Sequence, residues 1–200
     1  MIKLGITGGS GCGKTTVSDM LRKKGIDVID TDKVARIIVE PEKPALAEIR
    51  ECFGEEYINA DGTLNRKKLG DYVFSNPDKL LELNRITHKY ISAYIDEYID
   101  NYSGKIIGID GAALIESGID KKCDYLLSVL CGEKLRIERI ISRDGISCDA
   151  AKKRIKAQKK DEFYIENSDF IVYNDCSNEE LELKIDSIIK KISENKEEKL

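Results

Sequence analysis

Residues 5 to 16 read GITGGSGCGKTT, and how this stretch is read decides the fold. Gly8, four further residues, Gly13, Lys14 and Thr15 fit the spacing G-x-x-x-x-G-K-[ST] of a phosphate-binding loop. The flanks agree with that reading. Ile2, Leu4 and Ile6 alternate before it as a short strand, and Val17, Met20 and Leu21 recur after it at helical spacing. Glycines let the backbone curl and aim successive N–H groups inward, which makes a nest for an anion. A helix beginning at the loop turns its positive end to the same anion. Gly8, Gly9, Ser10, Gly11, Cys12, Gly13, Lys14, Thr15 and Thr16 are therefore the candidate triphosphate seat. In it Lys14 is the charge on the outer phosphates and the Thr15 hydroxyl is a ligand for Mg2+. A plain glycine-rich turn is the competing reading, and the agreement of strand, loop, Lys-Thr and helix weighs against it. The loop implies ATP-type chemistry with Mg2+ but does not say where the phosphate goes.

The chain has 200 residues, 41% hydrophobic and 35% charged, with a formal net charge of −4. That length suits one domain with an inserted subdomain. The acidic balance argues against nucleic acid as a partner. No apolar run reaches membrane-span length, and the N-terminus shows no secretory signal pattern, so a cytoplasmic protein without membrane association is expected. The six cysteines form no C-x-x-C pair and His88 is the lone histidine, which argues against zinc and for a reducing compartment. Apart from Cys12, they read as small buried hydrophobes. The sequence does not set the oligomeric state, and a monomer is the simplest expectation.

Four more short apolar runs follow the first strand: IDVID (26–30), KIIGID (105–110), DYLLSVL (124–130) and DFIVYN (169–174). Helical segments separate them. The pattern predicts an α/β fold, a doubly wound five-stranded parallel sheet of the P-loop kinase type. More than seventy residues between the second and third runs carry little strand character and are too long for a plain crossover. They predict a helical insertion, with Asn65 capping one helix and Asn76-Pro77 opening a long one. In that long helix Tyr90, Tyr94, Tyr98 and Tyr102 recur every four residues, a stripe best read as packing. Ser177 and Glu180 form a capping-box pattern for a C-terminal amphipathic helix, whose last residues, NKEEKL, are expected to fray. The expected organisation is a nucleotide core (residues 1–40, 103–142 and 166–200), a helical acceptor-substrate subdomain (41–102) and a lid (143–165).

Three features point from nucleotide binding to phosphate transfer. The second strand ends in Asp30-Thr31-Asp32, and ligands of doubly wound sheets bind beyond the strands' carboxyl ends. Asp32 there is a candidate to orient and deprotonate an acceptor hydroxyl. Equally, Thr31 or Asp32 is a helix N-cap. Arg136, Arg139 and Arg143 share one helical face, which suits bidentate phosphate contact or simply a solvated surface. Lys152, Lys156 and Lys160 align on the next segment, as in a basic lid or an ordinary surface helix. Asp110, ending the third strand, is either a carboxylate near Mg2+ or the polar stop of a buried strand. QKKD (158–161) echoes a guanine-reading motif but lacks its asparagine and follows no strand.

Taken together these motifs resemble the bacterial dephospho-CoA kinase family. GITGGSGCGKTTV, GIDVIDTD with ARIIVEP, FGEEYINADGTLNRKKL, VFSNP, ITH, RIERIISRDGIS and RIKAQ carry the resemblance, which runs from Ile2 to about Ile192. The resemblance implies transfer of the ATP γ-phosphate to the ribose 3′-hydroxyl of dephospho-CoA, on a fold with a CoA-binding helical domain and a lid. It implies Asp32 as the activating carboxylate, Arg139 and Arg143 at the base of the lid, and His88 in the CoA-binding region. Cys12 departs from the serine usual in the family loop, and AALIE (112–116) departs from its P-L-L-F-E. A thiol beside helix-terminal N–H groups is expected to ionise easily, open to oxidation or to a mixed disulfide with CoA. A nucleoside or sugar kinase, and a nucleotide-sensing regulator, are the competing functions.

Overall fold

The computed structural model describes residues 1–197. Five strands, β1 (Ile2–Thr7), β2 (Asp27–Asp30), β3 (Ile106–Asp110), β4 (Tyr125–Leu130) and β5 (Phe170–Tyr173), form one sheet in the order β2-β3-β1-β4-β5. The pairs β1–β3, β1–β4 and β4–β5 are parallel. Each strand falls where the sequence predicts it, and this is the doubly wound α/β class expected. β1 lies at the centre, with Ile6 beside Asp110 of β3 and Thr7 beside Ser128 of β4. Its carboxyl end is thus the topological switch point where such sheets bind ligands.

The helices are α1 (Lys14–Lys23), α2 (Thr31–Ile37), α3 (Pro44–Phe53), α4 (Arg66–Phe74), α5 (Pro77–Asp100), α6 (Glu133–Asp144), α7 (Cys148–Lys156), α8 (Asp161–Glu166) and α9 (Asn178–Glu197). None of them is long and apolar enough to cross a membrane. The described residues form two compact units, one of residues 1–29 and 103–197, the other Asp30–Tyr102. The second begins at Asp30, whereas the sequence places the boundary after residue 40. Residues 30–40 cluster with the insertion because α2 packs on α5.

In the first unit Leu4, Ile6, Val17, Leu21, Leu127 and Val129 are fully buried, so the sheet centre and α1 share one core. Leu181, Ile185 and Ile192 of α9 close that core. Ser177 caps α9, its hydroxyl accepting from Glu180 N at 3.2 Å. The helix continues through Asn195–Glu197, and the remainder of the expected frayed end, 198–200, lies outside the described residues.

The helical unit is built by local signals. In the turn NADGT, Asp61 accepts from Thr63 N, and Asn65 then caps α4 by accepting from Lys68 N, both at 3.0 Å. Leu69 and Val73 of α4, Ile49 of α3, and Ile86, Ile91 and Ile95 of α5 are among its buried side chains. The tyrosine stripe contributes less burial than expected. Tyr90, Tyr94 and Tyr102 are half-buried and Tyr98 is exposed, so the isoleucines beside them do the packing.

Candidate active site

The loop Gly8–Gly13 leaves β1 and enters α1. Its glycines answer to tight quarters. A Cβ on Gly13 (φ 91°) would lie 2.0 Å from Asn174 Nδ2, and one on Gly8 (φ 139°) 2.2 Å from the Val129 carbonyl oxygen. A side chain at either position would meet both a strained backbone and a clash. Helix α1 has no side-chain N-cap and no acidic residue in its first turn. Its first N–H groups and positive dipole end are thus left to an anion. Lys14 Nζ donates to Gly8 O at 2.8 Å, which holds the ammonium over the loop.

The three arginines of α6 all turn to this loop and do not form a solvated face. Arg136 is only 5% exposed. Its Nε donates to Ser10 O at 3.2 Å, Nη2 to Gln158 Oε1 at 3.0 Å, and Nη1 lies 3.5 Å from Asp161 Oδ1. Arg139 Nη1 donates to Gly11 O and Cys12 O, each at 3.4 Å, and Nη2 to Asn174 O at 3.2 Å. The loop carbonyls of Ser10, Gly11 and Cys12 need donors, which these guanidinium groups supply. Arg143 is the exposed member. Its Nη2 donates to Ser10 Oγ at 3.3 Å, and its Nε and Nη2 clasp Asp144 at 2.8 and 2.9 Å. That contact, helped by Arg154, holds the Asp144 carboxyl down to about 2.

Cys12 is fully buried, and the Cys131 thiol near it donates to Gly11 O at 3.6 Å. The Cys131 thiol, and the Arg136 and Lys14 charges, hold the Cys12 pKa down to about 7 against the opposing effect of burial. Cys12 and burial push Cys131 up. The direction at Cys12 is the one the sequence suggests. The burial of Cys12 corrects the other expectation, because a molecule of CoA size has no approach to it.

A hydroxyl and a carboxylate are hard oxygen donors of the kind Mg2+ takes. Thr15 is exposed at the start of α1, and Ser18 lies one turn later on the same side. Ser18 Oγ donates to Asp110 Oδ2 at 2.8 Å, which fixes the carboxylate beside that turn. The donor set fits Mg2+. Thr7, the last residue of β1, has a buried hydroxyl with no hydrogen-bond partner.

Asp32 and His88 belong to the helical unit. Asp30 caps α2, its Oδ1 accepting from Lys33 N at 3.0 Å. This frees Asp32 from the structural role that competed for it, and Asp32 is exposed in the helix's first turn. His88 is half-buried on α5, and burial lowers its pKa, which keeps the imidazole neutral at pH 7.

Residues 2–180 match the family model described as dephospho-CoA kinase (CoaE). The chain belongs to the dephospho-CoA kinase family. It is 35% identical to the dephospho-CoA kinase of Corynebacterium glutamicum over 96% of its own length and 98% of that protein's. Two solved structures share the fold: TT1252 from Thermus thermophilus (TM-score 0.83, 27% identity, 95% of this chain and 97% of that one) and the dephospho-CoA kinase from Campylobacter jejuni (TM-score 0.69, 26% identity, 97% and 98%). The chain is thus a kinase, of a family that catalyses the last step of coenzyme A biosynthesis.

Within this kinase, sequence reasoning missed four residues that build the loop. Gln158 Oε1 accepts from Ser10 N at 2.9 Å, and Asn174 Nδ2 donates to Cys12 O at 2.9 Å. Asp161 and Cys131 pair with Arg136 and Cys12. Gln158 and Asp161 were in view only as a failed guanine motif. Asn174 carried a usable signal, a polar residue at the end of an apolar strand.

Proposed function

We propose that this chain transfers the γ-phosphoryl group of ATP to the ribose 3′-hydroxyl of dephospho-CoA, giving CoA and ADP, in the cytoplasm. The observation that carries the proposal is the phosphate loop whose helix has no cap of its own, in a chain of this family. Gly8–Thr16 wrap the β- and γ-phosphates, and Lys14 neutralises charge as it moves toward the leaving oxygen. Thr15 and Asp110 would hold Mg2+, which when bound would add charge neutralisation there. Arg139 keeps the loop in shape, and Arg143, at the edge of the site, meets the transferred group. Segment 143–165 acts as a lid, excluding water so that ATP is not hydrolysed. Residues 41–102 bind the acceptor, with His88 as a neutral contact. Asp32 takes the proton of the 3′-hydroxyl as its oxygen attacks the γ-phosphorus and the bond to the bridging oxygen breaks.

The test is ADP release with Mg2+ and ATP in the presence of dephospho-CoA, adenosine, a sugar panel or no acceptor. Turnover with dephospho-CoA alone is expected. Turnover with another acceptor would keep the kinase and discard this substrate. Tight ATP binding with no turnover at all would make the chain a nucleotide sensor.

A further inference from the structure

One carboxylate in the nucleotide unit is shared by two arginines from different helices. Asp144 is the last residue of α6, and Gly145, at φ 64°, ends that helix in the left-handed conformation. Ser147 then caps α7, its hydroxyl accepting from Ala150 N at 3.2 Å, and α7 packs on α6. Across this turn Asp144 takes Arg143 from α6 and Arg154 from α7. Arg143 Nε donates to Oδ1 at 2.8 Å and Nη2 to Oδ2 at 2.9 Å. Arg154 Nη1 donates to the same Oδ2. Arg143 Nη2 also donates to Ser10 Oγ at 3.3 Å, which sets the whole cluster against the phosphate loop.

Exposure and charge decide what such a cluster is good for. The side chains of Arg143 and Arg154 are 59% and 43% exposed, and ion pairs this open to water contribute little to stability. Two guanidinium groups against one carboxylate leave a positive charge in excess, beside a loop built for an anion. Hydrogen-bond donors are in excess too. Among the described residues, Nη1 of Arg143 and Nε and Nη2 of Arg154 have no hydrogen-bond partner. A free arginine side chain samples many rotamers, and Asp144 takes that freedom from both before any nucleotide arrives. Charges already in place are what a phosphoryl transfer rewards, since they need no reorganisation as the transition state forms.

We propose that Asp144 is a positioning residue for phosphoryl transfer, holding Arg143 and Arg154 together at the Ser10 edge of the loop so that both guanidinium groups meet the transferred phosphoryl group. Asp144 acts through the two arginines and does not touch substrate. Arg154 becomes a second phosphate-contacting arginine, delivered from α7. The transferred group carries its charge on several oxygens, which two guanidinium forks bind better than one. The proposal rests on the reading of Arg143 given above and deepens it.

The experiment is single-turnover transfer from ATP to dephospho-CoA by the full chain, with steady-state KM for each substrate. It compares wild type, Arg143→Gln, Asp144→Asn, Arg154→Gln and the double variant Asp144→Asn/Arg154→Gln. Single turnover separates the transfer step from product release. Asp144→Asn keeps the shape of the side chain and removes its charge. It is expected to slow transfer about tenfold to a hundredfold, the scale of a misplaced reacting group, and Arg154→Gln should do the same. KM for dephospho-CoA should stay close to wild type. The double variant should be no slower than the slower single one, because residues that act as a unit do not add. Wild-type rates in a folded Asp144→Asn or Arg154→Gln, multiplied losses in the double variant, or a loss confined to KM overturns the proposal. So does a rate loss matched by loss of the native circular dichroism signal at the assay temperature, which marks a clasp needed only for folding. An unslowed Arg143→Gln, or a wild type that does not use dephospho-CoA, fails the parent reading and takes this one with it. A slowed Arg143→Gln beside unaffected Asp144→Asn and Arg154→Gln removes this proposal alone.

Discussion

Two pairs of arginines, one in each unit, are placed in opposite ways. In the nucleotide unit, Arg136 and Arg139 are consumed by the protein, their donors spent on the carbonyls of Ser10, Gly11 and Cys12 and on Asn174 and Gln158. In the helical unit, Arg36 and Arg66 meet no carboxylate among the described residues, and Arg66 makes one bond to a carbonyl. The contrast teaches what each surface is for. The loop's carbonyls need donors, and the guanidinium groups of Arg136 and Arg139 supply them before any ligand arrives. A cation left without a partner stabilises nothing until a charged ligand comes. The phosphate loop is thus held in shape by the protein's own side chains.

The sharpest break in this comparison would come at Lys14. Lys14→Ala is expected to lower turnover by on the order of 10²–10³, the scale of one lost preorganised contact to developing charge. Normal single-turnover rates in that variant would undo the loop assignment. Asp32→Asn is next. It should keep ATP affinity and lose on the order of a hundredfold in kcat, because only the proton acceptor is gone. If kcat is unchanged, Asp32 is a surface residue of α2.

The arginine contrast can be tested on stability alone. Arg136→Met strands the Ser10 carbonyl and Asp161, and should cost about 1–3 kcal/mol by denaturant midpoint. Arg36→Gln should stay within about 0.5 kcal/mol of wild type. Equal costs would erase the distinction between the units.

The smallest effect concerns Asp144. Its folded pKa of about 2 lies below the unfolded value of 3.8 because Arg143, and then Arg154, hold the ionised form. The stabilisation is therefore present above pH 3.8 and fades as pH falls through about 2. Asp144→Asn should lower the urea midpoint slightly at pH 7, and the gap from wild type should narrow steadily below pH 4. A gap independent of pH would mean the charge is irrelevant.

Much of the candidate site is legible in the chain. Lys14, Thr15 and the loop glycines announced themselves by spacing. Asp32 was visible as a candidate but not separable from a helix cap, because Asp30, Thr31 and Asp32 all suit an N-cap and only backbone geometry chooses Asp30. The arginine face was legible as a face but not as buried, since periodicity shows which side chains align and not what covers them. The compact helical unit begins at Asp30 and not after residue 40, because α2, legible as a helix, packs on α5, which no local pattern announces.

The sequence by itself determined the order of strands and helices along the chain, the phosphate loop and the caps at Asn65 and Ser177. These depend on backbone preferences and hydrogen bonds reaching only a few residues along the chain. Tertiary structure alone decided what surrounds the loop. Gln158 reaches Ser10 across 148 positions and Asn174 reaches Cys12 across 162. Such partners are chosen by the strand order of the sheet, which brings β4 and β5 to the side of β1, and no local pattern in the chain encodes which distant donor will meet which carbonyl.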